Sequence, residues 1–338
     1  MKQHTGRKIA ILCVAAGLLC TFFILMAVRM HLAASQTDQF RNHVWSGDGT
    51  KYAQVSGYLS GNASLSVDTL SELRRDMDTA LETASITPIN AEARLWIDAY
   101  STEATLTATS GEHTAEISAT AVGGDFFFFH PLPLLSGYYF SEEELMHDRV
   151  IIDHALAWQF FGSYDVAGQQ ITINGQNFLI AAVAEQQDDP LFMASYGNNP
   201  HLYLPYSALA ALLPDTAVTC YEAILPSPVS GFGQSILAQS FEDIGLEAEI
   251  IENSSRFSVS NLWDSLKSIG IRSMRLDTIC YPYWENIAVV IQDRCALLFG
   301  AQLAAVLLFL IAAVIALLFF KENIKGLGKR LVPKHFKR

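Results

Sequence analysis

Two apolar runs, one near each end of the chain, constrain the fold more than any other feature of the sequence. Residues 9–28 contain no charge, and residues 296–320 are interrupted only by the weakly polar Gly300 and Gln302. An α-helix rises about 1.5 Å per residue, so each run is long enough to cross a hydrocarbon core of about 30 Å. We therefore predict two transmembrane helices, with everything between them on one side of a membrane.

Basic residues beside the two runs predict the orientation. Three basic residues precede the first run, and seven follow the second against one acid, Glu322. Basic flanks stay in the cytoplasm, so both termini are expected inside and residues 29–295 outside. The predicted organisation is a cytoplasmic N-terminus (1–8), a first span (9–28), an extracytoplasmic domain (29–285), a stalk helix (286–295), a second span (296–320) and a basic cytoplasmic tail (321–338).

The first run has an alternative interpretation as the apolar part of a cleaved signal peptide. Ala33 and Ala34 would then be the small residues at the cleavage site, and the mature chain would begin near Ser35. The apolar part of a signal peptide usually has about 7–15 residues, and this run is longer. Its length therefore favours an uncleaved anchor.

The segment between the runs is strongly acidic and poor in cysteine. Residues 29–295 carry 12 basic and 33 acidic residues, a surface that repels phosphate backbones, so we expect no nucleic-acid partner. Only Cys220 and Cys280 lie well inside this segment, either as one bridge or as two separate thiols. Two cysteines are too few for a disulfide framework, so a hydrophobic core must hold the segment together.

Helical and alternating patterns are mixed in this segment, which predicts an α+β domain inserted between the two transmembrane helices. Leucine and methionine recur at helical spacing over 66–84, where Thr69 and Glu72 fit a capping box. Two threonine- and alanine-rich strands over 104–122 form a predicted hairpin. Asn174-Gly175 between apolar strands predicts a second one, because both turn positions need a positive φ.

Four consecutive phenylalanines, 126–129, precede a proline-rich stretch. A shallow dip into the membrane is one interpretation of this run. It is too short to span a bilayer, and the prolines end it. We expect instead that the run is buried as a core strand or as a plug between loops.

Residues 121–184 carry the pattern of a known family. A Val-x-Gly approach at 122–124 leads to the aromatic run. A Val-Ile-Ile strand at 150–152 then enters a short helix that ends in Phe161-Gly162, and the segment closes on Ile171-Thr172-Ile173-Asn174-Gly175. This order resembles the MacB-like periplasmic core domain of ABC transporter permeases, shared with FtsX-like permeases. Leu202-Tyr203-Leu204-Pro205 is similar to a later strand-to-proline element of that family.

The resemblance implies a membrane subunit that works with an ABC ATPase. Its motifs are structural, and it departs from the family where Ser136–Phe140 replaces a Gly-Arg turn. No P-loop is present, so no ATPase is fused to the chain. Permeases of the family normally carry two further spans after the second, so the sequence resembles a half-permease that needs a companion permease or a second copy.

Motifs for catalysis or metal binding are absent from the sequence. There is no His-Glu-x-x-His, Cys-x-x-Cys or Gly-x-Ser-x-Gly. His130, His147 and His154 fall within 25 residues, but each is expected to be an ordinary core or surface histidine. We therefore predict no catalytic, cofactor-binding or metal residues and no cofactor.

These sequence features leave three candidate functions. The first is a non-catalytic permease subunit that couples a cytoplasmic ATPase to the outer domain, for export or for transmitting force across the envelope. The second is a membrane-anchored binding or sensor module that signals through its spans. The third, a membrane-anchored surface enzyme, has no motif in its favour.

Overall fold

The computed structural model describes residues 2–46, 51–60, 65–88, 90, 93–142, 144–185, 190–197, 199–269 and 281–331. Within these ranges the α-helices are α1 (Lys2–Ala34), α2 (Asn42–Trp45), α3 (Val67–Thr83), α4 (Phe126–Phe129), α5 (His154–Phe161), α6 (Pro190–Tyr196), α7 (Tyr206–Leu212), α8 (Phe232–Asp243), α9 (Val259–Ser268) and α10 (Tyr283–Leu331). Two 3-10 turns, Thr37–Phe40 and Asn253–Ser255, lie before α2 and before α9.

The described strands belong to one mixed sheet. They are β1 (Tyr52–Leu59), β2 (Ile97–Ser110), β3 (His113–Gly124), β4 (Leu134–Gly137), β5 (Arg149–Asp153), β6 (Gln170–Ile173), β7 (Gln176–Ala184), β8 (His201–Pro205), β9 (Cys220–Pro226) and β10 (Ala248–Glu252). Their order is β10-β1-β9-β2-β3-β8-β5-β7-β4, and β6 pairs with β2 and β7. The pairs β3–β8 and β5–β7 are parallel, and the other pairs are antiparallel.

The chain divides into two compact units. One comprises Gln36–Arg256 and Arg272–Val289 and contains the whole sheet; we call it the outer unit. The other comprises Met1–Ser35, Phe257–Ile271 and Val290–Arg338 and contains α1, α9 and most of α10; we call it the span unit. The α+β domain and the helices on either side of it in the sequence are thus both present, which confirms the predicted fold class.

Both predicted hairpins are confirmed. β2 and β3 pair from Ala99 opposite Gly124 to Ser110 opposite His113, and the chain turns at Gly111, where φ is +59°. β6 and β7 are joined by Asn174 and Gly175, with φ of +45° and +86°. Positive φ at both turn positions matches the right-handed twist of the flanking strands, so the Asn-Gly pair sets the register of this hairpin.

The helix predicted at 66–84 is α3, but its cap differs from the prediction. The side chain of Ser66 accepts a hydrogen bond from the backbone N–H of Thr69, so Ser66 is the N-cap. Thr69 therefore lies within the first turn, and its proposed capping box with Glu72 was wrong. Ser66 caps the helix because its hydroxyl accepts from an N–H group of the first turn, which has no partner within the helix. The leucines and the methionine whose helical spacing predicted this helix, Leu70, Leu73, Met77 and Leu81, are buried along one face of α3.

Two hydrophobic clusters form the core of the outer unit. The larger one joins α3, α5, α7 and α8 to the sheet, and the smaller one surrounds Phe126, Phe129, Tyr203 and Trp284. The phenylalanine run is therefore buried in part, but as the helix α4 and not as a strand. Asp125 precedes the run, and the N–H groups of Phe128 and Phe129 bond back to its carbonyl oxygen, which closes a helical turn.

The span unit contains two helices long and apolar enough to cross a membrane, Ala10–Ala34 and Tyr283–Leu318. α1 and α10 are in contact, since the Cys295 thiol lies 3.7 Å from the carbonyl oxygen of Arg29. α9 belongs to the same unit, and its Ser265 hydroxyl lies 2.9 Å from Nε2 of Gln292 on α10. Cys220 in the outer unit is a free, buried thiol. Cys280 and residues 332–338 of the predicted tail lie outside the described residues.

Candidate functional site: a buried ion-pair network

A network of polar side chains, all buried except Asp38, lies within the outer unit and includes residues close to where the chain enters or leaves that unit. Asp38 follows the boundary at residues 35/36, Arg256 precedes the boundary at 256/257, and Glu285 precedes the boundary at 289/290. We call the set Asp38, Ser56, Tyr58, His130, Glu222, Asn253, Arg256 and Glu285 the junction network. Each of these three boundaries therefore has a network member within five residues of it.

Local structure brings these residues together. Ser56 and Tyr58 alternate along β1 and so share one face, and Ser56 lies directly opposite Glu222 on β9. His130 follows α4 immediately, and its N–H bonds to the carbonyl oxygen of Phe126. The helical phenylalanine run is thus the element that aims the imidazole at β9. Asp38 and Asn253 lie in the two 3-10 turns.

The centre of the network is an imidazole between two carboxylates. Nε2 of His130 lies 2.5 Å from Oε2 of Glu222, and Nδ1 lies 3.2 Å from Oδ2 of Asp38. His130 and Glu222 are each 1% exposed. Burial alone would lower the pKa of His130, but the charge of Glu222 and the hydrogen bonds that the ring donates to Asp38 and Glu222 outweigh burial and raise the pKa to about 9. The ring is therefore an imidazolium at neutral pH, donating one N–H to each carboxylate.

Aromatic rings close the histidine off from water. The ring centroid of Trp284 lies 4.3 Å from that of His130, and the Phe126 centroid lies 5.0 Å away. Trp284 is on the first turn of α10, one residue before Glu285. The start of α10 therefore contacts the network through a ring on one residue and a carboxylate on the next.

That carboxylate belongs to a second ion pair. Nη2 of Arg256 donates to both oxygens of Glu285, at 2.8 and 2.6 Å, and the hydroxyl of Tyr58 donates to Oε2 at 2.9 Å. Arg256 and Glu285 are 2% and 0% exposed. Burial lowers the pKa of Arg256, yet the Glu285 charge raises it overall, so the guanidinium stays charged.

Hydrogen bonds through Ser56 and Asn253 connect the two ion pairs. The Ser56 hydroxyl donates to Oε1 of Glu222 at 3.0 Å and accepts from Nδ2 of Asn253 at 2.6 Å. Nη2 of Arg256 lies 3.4 Å from Oδ1 of Asn253, which completes the chain of contacts. Three carboxylates thus face two cations. All of these groups are buried except Asp38, whose side chain is 35% exposed, so losing a buried charge leaves its partner unpaired.

A separate cluster of ion pairs lines an open cavity of about 670 Å³ in the outer unit. Nε and Nη2 of Arg74 donate to Asp98 at 2.7 and 3.1 Å, and Arg94 donates to Asp125 at 3.1 and 2.5 Å. Burial raises the pKa of Asp98, while Arg74 and Tyr221 oppose that shift. The wall also includes Trp96. Both arginines in the wall of the cavity are therefore already bound to carboxylates.

The three histidines noted in the sequence do not meet. His130 is in the junction network, Nδ1 of His147 lies 2.5 Å from the Ser207 hydroxyl, and His154 contacts the ring of Tyr164. Among the described residues there is no group of three metal-binding side chains around a common point. The two carboxylates beside His130 bond to opposite nitrogens of one ring, so they do not converge on an ion.

Sequence reasoning missed the junction network. One signal was available, because Glu222 interrupts the otherwise apolar strand Cys220–Pro226, and a buried charge needs a partner. The partner itself could not be named, since the carboxylate is 92 residues from His130. The Arg256–Glu285 pair gave no signal, because both residues lie in mixed polar surroundings in the sequence.

The fold and the network together define an α+β outer domain placed between two candidate transmembrane helices. Residues 9–232 match the family model of the MacB-like periplasmic core domain. The chain therefore belongs to this family of MacB/FtsX-like ABC transporter permeases, as its sequence predicted. Members of this family are non-catalytic permease components of ABC transporters, and they typically work with an ABC ATPase. The match ends at Phe232, so Arg256 and Glu285 lie beyond it.

Two solved structures are similar to this chain. The periplasmic region of MacB from Actinobacillus actinomycetemcomitans is 14% identical, with a TM-score of 0.44 over 60% of this chain and 90% of that one. The extracellular domain of the noncanonic ABC-type transporter YknZ from Gram-positive bacteria is 12% identical, with a TM-score of 0.39 over 59% of this chain and 98% of that one. No curated protein sequence matches the chain.

Proposed function

We propose that this protein is a non-catalytic permease subunit that couples a cytoplasmic ATPase to its outer domain, for export or for transmitting force across the envelope. In this proposal both termini are cytoplasmic, residues 29–295 lie outside, and the bilayer holds the two spans. A companion permease or a second copy completes the assembly, because two helices cannot enclose a pathway alone.

The observation that carries the proposal is the bonding of α10 at its first turn. α10 is one uninterrupted helix from Tyr283 to Leu331, and Glu285 on its first turn is fully buried against Arg256 and Tyr58. A helix transmits displacement along its axis better than a loop does, because its backbone hydrogen bonds resist extension. A shift of α10 would therefore act directly on the ion pairs in the core of the outer unit.

The first experiment is a pull-down of the full chain from detergent-solubilised membranes. Co-purification of an ATP-binding subunit, with or without a second permease, is the expected result. If repeated purifications in mild detergent yield the chain without either partner, the proposal that it is a permease subunit is wrong.

Orientation is tested by labelling intact cells with a membrane-impermeant thiol reagent. Single cysteines are introduced at Asp188 and at Lys334, and each is labelled before and after lysis. We expect the first to react in intact cells and the second only after lysis. Labelling of both in the same compartment would contradict two spans with cytoplasmic termini.

Transmission through α10 is tested by interrupting the helix between Glu285 and the apolar run. Residues Gln292, Asp293 and Arg294 are replaced by three glycines in one variant and by three alanines in its matched control. Both variants lose the same side chains, but each glycine costs the helix about 1 kcal/mol relative to alanine.

The readout is hydrogen exchange of the outer unit in the complex with its ATPase, compared between ATP-analogue and ADP states. We expect nucleotide-dependent exchange at Cys220–Pro226 and Asn253–Ser255 in the wild type and the alanine variant, and its loss in the glycine variant. Equal nucleotide dependence in all three proteins would contradict transmission through this helix.

A binding or sensor module is the second candidate, and the cavity beside Arg74 and Arg94 favours it. A sensor needs a ligand site outside and an output through its cytoplasmic tail. Deleting residues 321–338 should then abolish the output and leave ligand binding intact. In the permease proposal, the same deletion removes the ATPase contact.

A further inference from the structure

The helix α9 exposes large apolar side chains on one side of its surface. It begins after the N-cap Ser258, whose side chain accepts from the N–H of Asn261. It belongs to the span unit, together with α1 and most of α10. Its residues divide into a buried face, an apolar flank and a polar flank, and each of these has a different environment.

The buried face fixes the height of α9 along α10. Leu262 and Ser265 are buried, and the Ser265 hydroxyl lies 2.9 Å from Nε2 of Gln292. The side chain of Leu266 is so close to Gly300 that a Cβ added there would lie 3.2 Å from it. α9 therefore lies along residues 292–300, where the polar residues of α10 give way to its apolar run.

The apolar flank consists of Val259 and Trp263, one helical turn apart. They are 61% and 46% exposed, although both are large hydrophobic side chains. The neighbouring surface of α10 is also apolar and exposed, with Leu297 at 57%. Leu297 is in the stretch of α10 along which α9 lies, so both helices expose large apolar side chains there that water does not cover favourably.

The polar flank lies on the other side of the exposed surface and carries Ser260 and Asp264. Asp264 pairs with Lys267 at 2.9 Å, and the Lys267 ammonium lies 5.5 Å from the centre of the Trp263 ring. A tryptophan with a long basic side chain over it is typical of the boundary between hydrocarbon and water, where the ring is half-immersed and the charge reaches the headgroups.

We infer that α9 is an interfacial helix that rests in the headgroup layer of the bilayer, with Val259 and Trp263 toward the acyl chains and Asp264 toward water. The two charges of its exposed surface, Asp264 and Lys267, cancel. Binding therefore depends on apolar burial and needs no anionic lipid. The inference requires that α10 enters the bilayer, and it is independent of any ATPase.

The test uses the full chain reconstituted into phosphatidylcholine vesicles, with tryptophan fluorescence as the readout. The signal of Trp263 is the difference between the wild type and W263F. Quenching is measured with lipid brominated near the headgroup, with lipid brominated near the bilayer centre, and with aqueous iodide. We expect the headgroup-proximal bromines to reduce the Trp263 signal by about twofold, with little effect of iodide or of the deep bromines.

The matched variant moves the ring to the polar flank as W263F/D264W, with W263F as its baseline. Trp263 is half-exposed and the Asp264 side chain is 70% exposed, so neither change disturbs the buried face. We expect the ring at position 264 to be quenched by iodide and not by brominated lipid. Flotation of each protein with the vesicles establishes that the spans have inserted.

Three results would overturn the inference. One is a Trp263 signal that iodide quenches as strongly as it quenches the ring at position 264. Another is insensitivity of both rings to brominated lipid in protein that floats with the vesicles. The third is equal quenching of both by the deep bromines, which would place α9 within the hydrocarbon.

Discussion

Nη2 of Arg256 lies 2.6 Å from Oε2 of Glu285, and both side chains are buried. The arginine is the last residue of the outer unit before the chain enters α9, and the glutamate is on the first turn of α10. Two segments that lead to the span unit are therefore bonded to each other inside the outer unit. A buried ion pair adds little net stability, but separating its charges is costly. The pair therefore holds the segment before α9 against the first turn of α10.

Replacing either member alone is expected to destabilise the fold. Arg256→Met leaves Glu285 buried without its cation, and Glu285→Leu leaves the guanidinium without its acceptor, so each should cost about 3–5 kcal/mol. The double variant should be more stable than the sum of the two single losses predicts, because no unpaired charge remains. Thermal unfolding of the full chain in detergent, followed by near-ultraviolet circular dichroism, measures all three, and additive losses would contradict the pair.

His130 predicts a loss of stability in alkali. Its pKa is raised to about 9 in the folded state, against about 6.5 in the unfolded state, so the folded state binds the proton more tightly. The contribution, on the order of 3 kcal/mol, is fully present below pH 6.5 and declines as pH rises through 9. His130→Gln should flatten this slope between pH 7 and 9. His113→Gln, which changes an exposed histidine, should keep the wild-type slope. Equal flattening in both variants would contradict the assignment to His130.

His201 predicts the opposite dependence in acid. It is buried on β8 with Nε2 2.7 Å from the Thr120 hydroxyl, and burial lowers its pKa to about 3. The unfolded chain binds the extra proton, so this contribution is present above pH 6.5 and is lost as pH falls towards 3. His201→Gln should therefore reduce the difference in unfolding free energy between pH 7 and 4. A difference unchanged from the wild type would contradict a neutral buried ring.

Sequence patterns predicted the features that depend on neighbouring residues. The two long apolar helices, the helix α3 and the Asn174-Gly175 hairpin follow from local hydrophobic patterns and from turn residues with positive φ. The aromatic run was harder, because a short apolar segment fits a strand and a helix equally well. Its backbone is decided by Asp125, whose carbonyl oxygen accepts from Phe128 and Phe129.

The junction network could not be predicted in the same way. Its charged side chains bond to partners that are 29 or 92 residues away along the chain. The order of the strands in the sheet determines which of them meet. β1 pairs with β9 and β10 at once, which places Ser56 between Glu222 and the turn that holds Asn253. No local pattern encodes that register, since β1 and β9 are more than 150 residues apart.

Gly137 predicts a large effect of a single methyl group. Its φ is +82°, and an added Cβ would lie 2.0 Å from the carbonyl oxygen of Ala181 on β7. Gly137→Ala therefore forces the edge strand β4 away from β7, in addition to the left-handed backbone cost of about 1–2 kcal/mol. Gly111→Ala is the matched control, because its φ is +59° and nothing lies within 4 Å of the added methyl. Thermal unfolding of both variants separates the collision from the backbone cost, and equal losses would contradict the close approach.

Glu222→Gln isolates the electrostatic part of the junction network. The amide can still accept from Ser56, but it carries no charge opposite His130. The Glu222 charge is the largest influence that raises the pKa of His130, and burial opposes it, so the substitution should lower that pKa. The imidazole would then lose its proton at a lower pH. The alkaline decline in stability would still begin near the unfolded pKa of about 6.5, but it would be smaller and would end at a lower pH. Histidine resonances in ¹³C-labelled protein, with His130 assigned from the His130→Gln variant, give the midpoint directly. An unchanged midpoint would mean that Asp38, and not Glu222, holds the proton on the ring.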